Sequence, residues 1–333
     1  MTRGKLVIQK SDLISLMMRE ESKLPAADRR HFREILLEDQ LELVMAESPD
    51  RLKKEIADAT ILFTENRAVT AELLSNAREL KLIQNGCLRH FAIDLDAARR
   101  AGIPVAAIAS PLDVSVAEHA LMLMMALGKR LLTTDQAVRR GEGRRIVAPH
   151  VTSETQSSLY RKTLGIVGLG EIGCLVARRA TAFGMRVLYY NHRRYPAAEE
   201  RDMGLEYRPL PELMAEADFV DIHIALTPTT TGLIGRRELA AMKPGAFLVN
   251  TARGAIVDQQ ALTDALKEGR LGGAGLDVFV DEPLPEGHPL TLLDNVILTP
   301  HVAGSGVTWE SLHELFLNVH HVLRGEPLEG VIN

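Results

Sequence analysis

The sequence predicts an α/β protein with two parallel-sheet domains, and three observations carry that prediction. Over the first hundred residues, short β-type runs alternate with charged amphipathic stretches. From 141 to 163 the composition turns polar and irregular, and a second alternation starts at TLGIVGLG. The length of 333 residues exceeds one average core and suits two.

The elements follow in order. In the first half the strand candidates are KLVI (5–8), LELVM (41–45), TILF (60–63), KLIQ (81–84) and IPVAAI (103–108). Between them PAADRRHFREILLE (25–38) and VTAELLSNAREL (69–80) have helical periodicity. A long helix is expected from about Ser115 to Val138, with Val116, Ala120, Leu123, Met124, Leu127 and Leu131 at helical spacing. In the second half the strand candidates are LGIVG (164–168), MRVLYY (185–190), FVDIHI (219–224), AFLVN (246–250), AGLDV (274–278) and VILTP (296–300). The last helix, roughly 307 to 324, is expected to return to the first domain and make it discontinuous. The expected domains are 1–108 with 305–333, and 109–304.

Composition narrows the function. Hydrophobic residues at 46%, charged residues at 25% and a net charge of −5 describe an ordinary globular chain without a dedicated nucleic-acid or acidic-membrane surface. The N-terminus MTRGKLVIQKSD has no signal-peptide core, and the apolar run ALMLMMALG (120–128) is too short to span a bilayer. A cytoplasmic location is expected. Cys87 and Cys174 form neither a disulfide framework nor a metal spacing, so no metal is expected.

GLGEIG (168–173) matches the dinucleotide fingerprint in its proper context, with an apolar run entering it and the helical CLVARRATAFG leaving it. Gly168 suits the tight turn, Gly170 a close backbone approach to pyrophosphate, and Gly173 helix–strand packing. The N–H groups of Glu171 and Ile172 should face the phosphates at the helix N-terminus. Eighteen residues beyond Gly173, the strand ends in YYNHRR, with Asn191 where an acid normally accepts the ribose hydroxyls of NAD. Asn191 does not repel a 2′-phosphate, while Arg193 and Arg194, beside His192, offer charge-assisted donors for one. The expected cofactor is therefore NADP(H), with NAD(H) possible.

Three more stretches place charged residues just beyond strand ends, where open α/β sheets bind ligands. Arg253 follows AFLVN, Asp277 and Glu282 follow AGLDV, and His301 follows Pro300. An arginine fork suits a carboxylate and a polarised carbonyl, and an imidazole suits proton donation near neutrality. A carboxylate such as Glu282 would orient the ring and favour its protonated form. Thr251 and Ala252, in the turn before Arg253, join the expected cofactor contacts.

GLGEIG, HIALTPTTTGLI (223–234), NTARGAIVD (250–258), GLDVFVDEP (275–283) and TPHVAG (299–304) together resemble the D-isomer-specific 2-hydroxyacid dehydrogenase family, glyoxylate/hydroxypyruvate reductase-like members included. The likeness runs over about 110 to 333 and rests on five ordered motifs. It implies a Rossmann-type dinucleotide-binding domain, a smaller flavodoxin-like α/β substrate domain, a cleft between them, and a homodimer formed through the nucleotide-binding domain. It implies catalytic roles for Arg253, Glu282 and His301, a nicotinamide-amide contact for Asp277, and reduction of a small 2-oxo acid to the D-2-hydroxy acid. Formate is disfavoured, because the related formate dehydrogenases carry Gln in the place of Glu282. In the substrate loop QNGCLRHFAIDL (84–95), whose Cys87, Leu88 and Arg89 are the expected substrate contacts, Cys87 and Arg89 stand where the family has glycines, so Arg89 or His90 is expected to reach the substrate by side chain in place of a backbone nest. The alternative of another class is a corepressor-like sensor of the same fold that binds NADP(H) without turnover.

Overall fold

The structure is a computed structural model that describes residues 4–9, 26–35, 40–65, 67–87, 90, 92–143, 158–305 and 309–333. The chain divides into two compact units, Met1–Leu112 with Gly306–Asn333, and Asp113–Ser305.

The first unit contains β1 (Gly4–Gln9), α1 (Ala26–Ile35), β2 (Leu41–Ala46), α2 (Pro49–Glu55), β3 (Ile61–Thr64), α3 (Ala71–Ser75), β4 (Leu82–Asn85), α4 (Leu95–Arg100), β5 (Val105–Ala107) and the C-terminal helix Trp309–Arg324. Three of its short helices start where a side chain accepts an otherwise unpaired N–H. Ser48 accepts from Arg51, Thr70 from Leu73 and Asp94 from Ala97. The strands form one parallel sheet in the order β2-β1-β3-β4-β5. Side-chain alternation divides its core in two. Leu6, Ile8, Phe63 and Leu82 pack with Leu315, Phe316 and Val319 of the C-terminal helix, whereas Val7, Leu62, Ile83 and Val105 pack with Leu52, Ile56 and Leu73. Phe63 stacks on Phe316 with ring centroids 5.2 Å apart, so the sequence's last helix completes the unit begun by its first strand.

The second unit opens on α5 (Pro111–Gly128) and α6 (Leu131–Arg139). The periodicity predicts one helix there, but the chain breaks at Arg130, which takes a left-handed φ of 51° just after Gly128. A poor helix former followed by a left-handed residue ends the hydrogen-bond ladder, and a new helix starts at another angle. Among the described residues α5 alone is long and apolar enough to cross a membrane, at 18 residues and a mean hydropathy of 1.2. Its length exceeds the nine-residue run that the sequence suggests. Yet Ala117, Ala120, Leu123, Met124 and Leu127 are buried in the fold, which marks it as a core helix.

There follow β6 (Thr163–Val167), α7 (Glu171–Ala182), β7 (Arg186–Tyr190), α8 (Ala197–Met203), β8 (Leu205–Tyr207), α9 (Leu210–Glu216), β9 (Phe219–Ile222), α10 (Arg236–Ala241), β10 (Phe247–Asn250), α11 (Gln259–Lys267), β11 (Gly273–Leu276) and β12 (Val296–Leu298). All seven strands are parallel, in the order β12-β11-β10-β9-β6-β7-β8. This is the doubly wound Rossmann arrangement, with its reversal of strand order between β6 and β9. The edge strand β8 was not expected, since three residues carry no readable periodicity. Four expected strands of this unit overshoot the observed ones at the carboxyl end, LGIVG by Gly168 alone. His223, Asp277, Val278, Thr299 and Pro300 have left the ladder and belong to loops, all on the sheet edge where such folds bind ligands.

Candidate active site

The glycine turn leaves β6 at its carboxyl end and enters α7. Gly168 has φ 101°, and a Cβ there would lie 2.7 Å from the backbone carbon of His223. At Gly173 a Cβ would lie 2.5 Å from the Gly168 carbonyl oxygen, so the helix start packs directly on the turn. Gly170 is different: a Cβ would meet nothing within 4 Å. The space in front of it is open, and as N-cap of the twelve-residue α7 it offers no side-chain acceptor to the first helical N–H groups. Glu171, Ile172 and Gly173 occupy those first positions, where intrahelical partners are lacking. Beyond β10, the buried Thr251 hydroxyl has no hydrogen-bond partner among the described residues. An open cradle at a helix N-terminus and an orphaned hydroxyl on the same sheet edge fit a dinucleotide.

At the end of β7 the two arginines part company. Arg194 donates through Nε and Nη2 to both oxygens of Glu200, at 2.8 and 2.7 Å, and lies over the Tyr207 ring at 5.3 Å. Arg193 and His192 are exposed. Arg194 is thus paired with a buried carboxylate, whereas Arg193 makes no ion pair among the described residues. Asn191 is also engaged. Its Oδ1 accepts the Leu169 N–H at 2.7 Å and its Nδ2 donates back to the Leu169 carbonyl at 3.4 Å, which clips the strand end to the glycine turn.

The chemical groups sit on three neighbouring loops. After β10, the buried Asn250 side chain accepts from Ala252 N–H and donates to the Arg253 carbonyl, both at 3.0 Å, folding the turn that presents Arg253 to solvent. Gly254 then allows backbone contact with the next loop, for a Cβ there would lie 2.0 Å from the Phe279 carbonyl carbon. Glu282 bridges outward from that loop. One oxygen accepts the Phe279 N–H at 3.0 Å, and the other meets His301 Nδ1 at 2.7 Å. Burial pushes the Glu282 carboxyl up, but hydrogen bonds from His301 and Phe279 and the positive fields of His301 and Arg253 hold it below the ordinary carboxylate value. Glu282 thus feels the charge of both His301 and Arg253, and with Nδ1 turned to Glu282 the His301 ring keeps Nε2 for another partner.

His301 takes φ 56°, a conformation that a residue with a Cβ adopts rarely. Asp277 holds it there. The Asp277 carbonyl accepts the His301 N–H at 2.8 Å, while its fully buried carboxylate accepts from Thr299 Oγ1, Val302 N–H and Ala303 N–H at 2.6, 2.9 and 2.8 Å. Asp277 therefore anchors the imidazole loop with both oxygens. Sequence reading missed Asn250, Gly254 and Thr299. The signal for the first two lay in NTARG itself, where a polar strand end and a following glycine flank the arginine.

Of the expected substrate contacts, Cys87 is buried at 5% exposure, and Leu88 and Arg89 lie outside the described residues. A cavity of about 500 Å³ in the second unit is lined by Lys162, Asp218, Lys243, Gly272 and Asn295, all just before strands. It opens at the amino edge of the sheet and so is separate from the residues above.

The same architecture recurs in known proteins. The NAD binding domain of the D-isomer specific 2-hydroxyacid dehydrogenases matches residues 121–303. A glyoxylate reductase of Korarchaeum cryptofilum is 44% identical over 267 residues, 80% of either chain. One of Pyrococcus furiosus is 40% identical over 307 residues, covering 90% of this chain and 91% of its own. A glyoxylate reductase structure from Paecilomyes thermophila aligns with a TM-score of 0.57 at 29% identity, over 98% of this chain and 97% of the other. With the glycine turn, the Glu282–His301 pair and the coupled Arg253 on one Rossmann sheet edge, the chain belongs to the D-isomer-specific 2-hydroxyacid dehydrogenase family as an NAD(P)-dependent enzyme.

Proposed function

We propose that the protein reduces small 2-oxo acids of the glyoxylate and hydroxypyruvate class to D-2-hydroxy acids, with NADPH preferred to NADH. The observation that carries the reading is the Glu282–His301 bond of 2.7 Å with Arg253 within electrostatic reach. In this reading the Arg253 guanidinium holds the substrate carboxylate and polarises the oxo group, as a planar fork of permanent charge can. His301 gives its Nε2 proton to the oxo oxygen. Glu282 keeps the ring in the orientation for that transfer. Glycines 168, 170 and 173, Thr251 and the segment 191–194 hold the dinucleotide, which when bound supplies the hydride to C2. Asn191 in place of an acid and the exposed Arg193 support the NADPH preference.

Exposed Met122, Met125, Leu131, Leu132 and Val138 on α5 and α6 support a homodimer through the second unit. A sensor that binds cofactor without turnover is disfavoured, because it has no use for a paired acid and base. The test is initial-rate oxidation of NADPH and NADH with glyoxylate, hydroxypyruvate, pyruvate and phenylpyruvate as acceptors. Turnover with glyoxylate or hydroxypyruvate, faster with NADPH, is expected. Turnover confined to NADH would remove the cofactor preference, and turnover confined to phenylpyruvate would remove the substrate class.

A further inference from the structure

We infer that Arg193 and Arg194 divide their labour at the adenosine end of the cofactor: Arg193 alone is the 2′-phosphate contact, and Arg194 is a positioning residue that fixes the loop through Glu200. The inference rests on the NADPH reading above and concerns which residues deliver it.

Three observations carry it. First, the Nε–Nη2 edge of the Arg194 guanidinium is taken up by both Glu200 oxygens, and Glu200 is only 6% exposed. Turning Arg194 toward a phosphate would strand a buried carboxylate without its cation, a costly exchange for one new ion pair. Second, Glu200 belongs to a continuous chain of contacts. Its Oε1 also accepts the Tyr189 hydroxyl at 2.7 Å, and that hydroxyl accepts the Tyr195 N–H at 3.0 Å. The Tyr195 hydroxyl in turn donates to the Leu169 carbonyl at 2.5 Å, inside the glycine turn. Asn191 reaches the same Leu169 from the other end of the segment. The stretch 191–195 is thus pinned at both ends to the turn that faces the pyrophosphate, a group NADPH and NADH share. Third, Arg193 sits between these pins, exposed, and makes no ion pair among the described residues. The pins set its position, and its charge stays available.

The two arginines therefore differ in what their loss does. Without Arg193 a phosphate contact disappears and nothing else changes. Without Arg194 the buried Glu200 loses its cation and the anchored loop loosens, which weakens the grip on the part common to both cofactors. The experiment is equilibrium titration of the full-length protein with NADPH, NADH and 2′,5′-ADP, together with thermal unfolding, for wild type, Arg193→Gln, Arg194→Gln and Arg194→Lys. Arg193→Gln is expected to weaken NADPH and 2′,5′-ADP on the order of tenfold, with NADH affinity and Tm unchanged. Arg194→Gln is expected to weaken NADPH and NADH by the same factor and lower Tm, leaving their ratio intact. Arg194→Lys, which keeps a cation for Glu200, serves if the glutamine variant does not fold, and should likewise keep the ratio. If an Arg194 variant loses the preference while wild type shows it, the division of labour is overturned and the NADPH reading stands. If wild type binds both cofactors equally, the NADPH reading falls and the Arg193 assignment falls with it.

Discussion

His301 and Glu282 meet through Nδ1 and Oε2 at 2.7 Å, and each is held in place by a residue outside the pair. Glu282 is tied to the Phe279 N–H, and the His301 loop hangs on the buried Asp277. Two loops from adjacent strands β11 and β12 thus converge on one imidazole. The ring's orientation is a property of the sheet edge, not of a single flexible loop.

Replacing His301 by Asn removes the proposed proton donor and should lower kcat by about 10² to 10⁴ while leaving NADPH affinity within about twofold. Glu282→Gln keeps the shape but not the charge, so the ring is still held while the carboxylate beside it is lost. Its kcat should fall by roughly tenfold to a hundredfold, less than for His301→Asn. Steady-state kinetics with parallel cofactor titration measure both, and a His301→Asn enzyme within tenfold of wild type would exclude this histidine as the acid.

Asp277 separates two roles. The family resemblance implies a nicotinamide contact, whereas the structure uses both carboxylate oxygens to hold Thr299, Val302 and Ala303. Asp277→Asn retains one acceptor oxygen and replaces the other by a donor facing an N–H group. A lost buried hydrogen bond of this kind costs about 1 to 3 kcal/mol, so Tm and kcat should fall together. A raised KM for NADPH with unchanged kcat and Tm would instead place Asp277 on the cofactor.

Much of this was legible from residue order, for a physical reason. Strand runs, a glycine turn and charged residues immediately after strands are local signals, and a parallel sheet converts them into a shared edge. Arg194 shows what is not local. Its partner Glu200 lies one turn into α8, and only the packing of Tyr189 and Tyr207 makes that carboxylate buried and in reach. Gly254 is similar, since the Phe279 backbone that requires it comes from a different strand. The break at Arg130 was hidden because the apolar spacing continues through it from Leu127 to Leu131.

The glycine turn yields a contrast between two substitutions of the same size. Gly173→Ala would press a methyl to 2.5 Å from the Gly168 carbonyl oxygen, and should destabilise the protein by about 1 to 3 kcal/mol. At Gly170 the methyl meets no protein atom within 4 Å. Exchanging glycine for alanine at an N-cap costs under about 1 kcal/mol, so Tm should hardly move. The methyl would instead occupy the space that the pyrophosphate needs, and affinity for NADPH and NADH should fall equally, by about tenfold or more. Thermal unfolding and titration of both variants test this. A Gly170→Ala protein that binds cofactor normally would show that the dinucleotide does not approach this turn.

Acid stability has a named source in the second unit. Arg186 on β7 donates to Glu206 on β8 at 2.8 and 2.7 Å and to Glu216 on α9 at 3.1 Å, and Arg208 reaches the same two carboxylates at 3.0 and 2.9 Å. The Arg186 hydrogen bonds dominate a shift that takes the Glu206 carboxyl from 4.5 down to about 2, against the opposing effect of burial. The Arg208 hydrogen bond does most to lower Glu216. A depressed carboxylate contributes stability that is fully present above its unfolded value and lost as pH falls through its folded one. The contribution of Glu206 is therefore complete above pH 4.5 and disappears by about pH 2. With 44% of the Glu206 side chain exposed, solvent screens the pair, and salt should weaken it further. Glu206→Gln is expected to lower Tm modestly at pH 7, with the gap to wild type closing between pH 4.5 and 2 and shrinking in 1 M salt. Thermal unfolding across that range measures it, and a gap that persists or widens in acid would show that the cluster is not what the unit loses first.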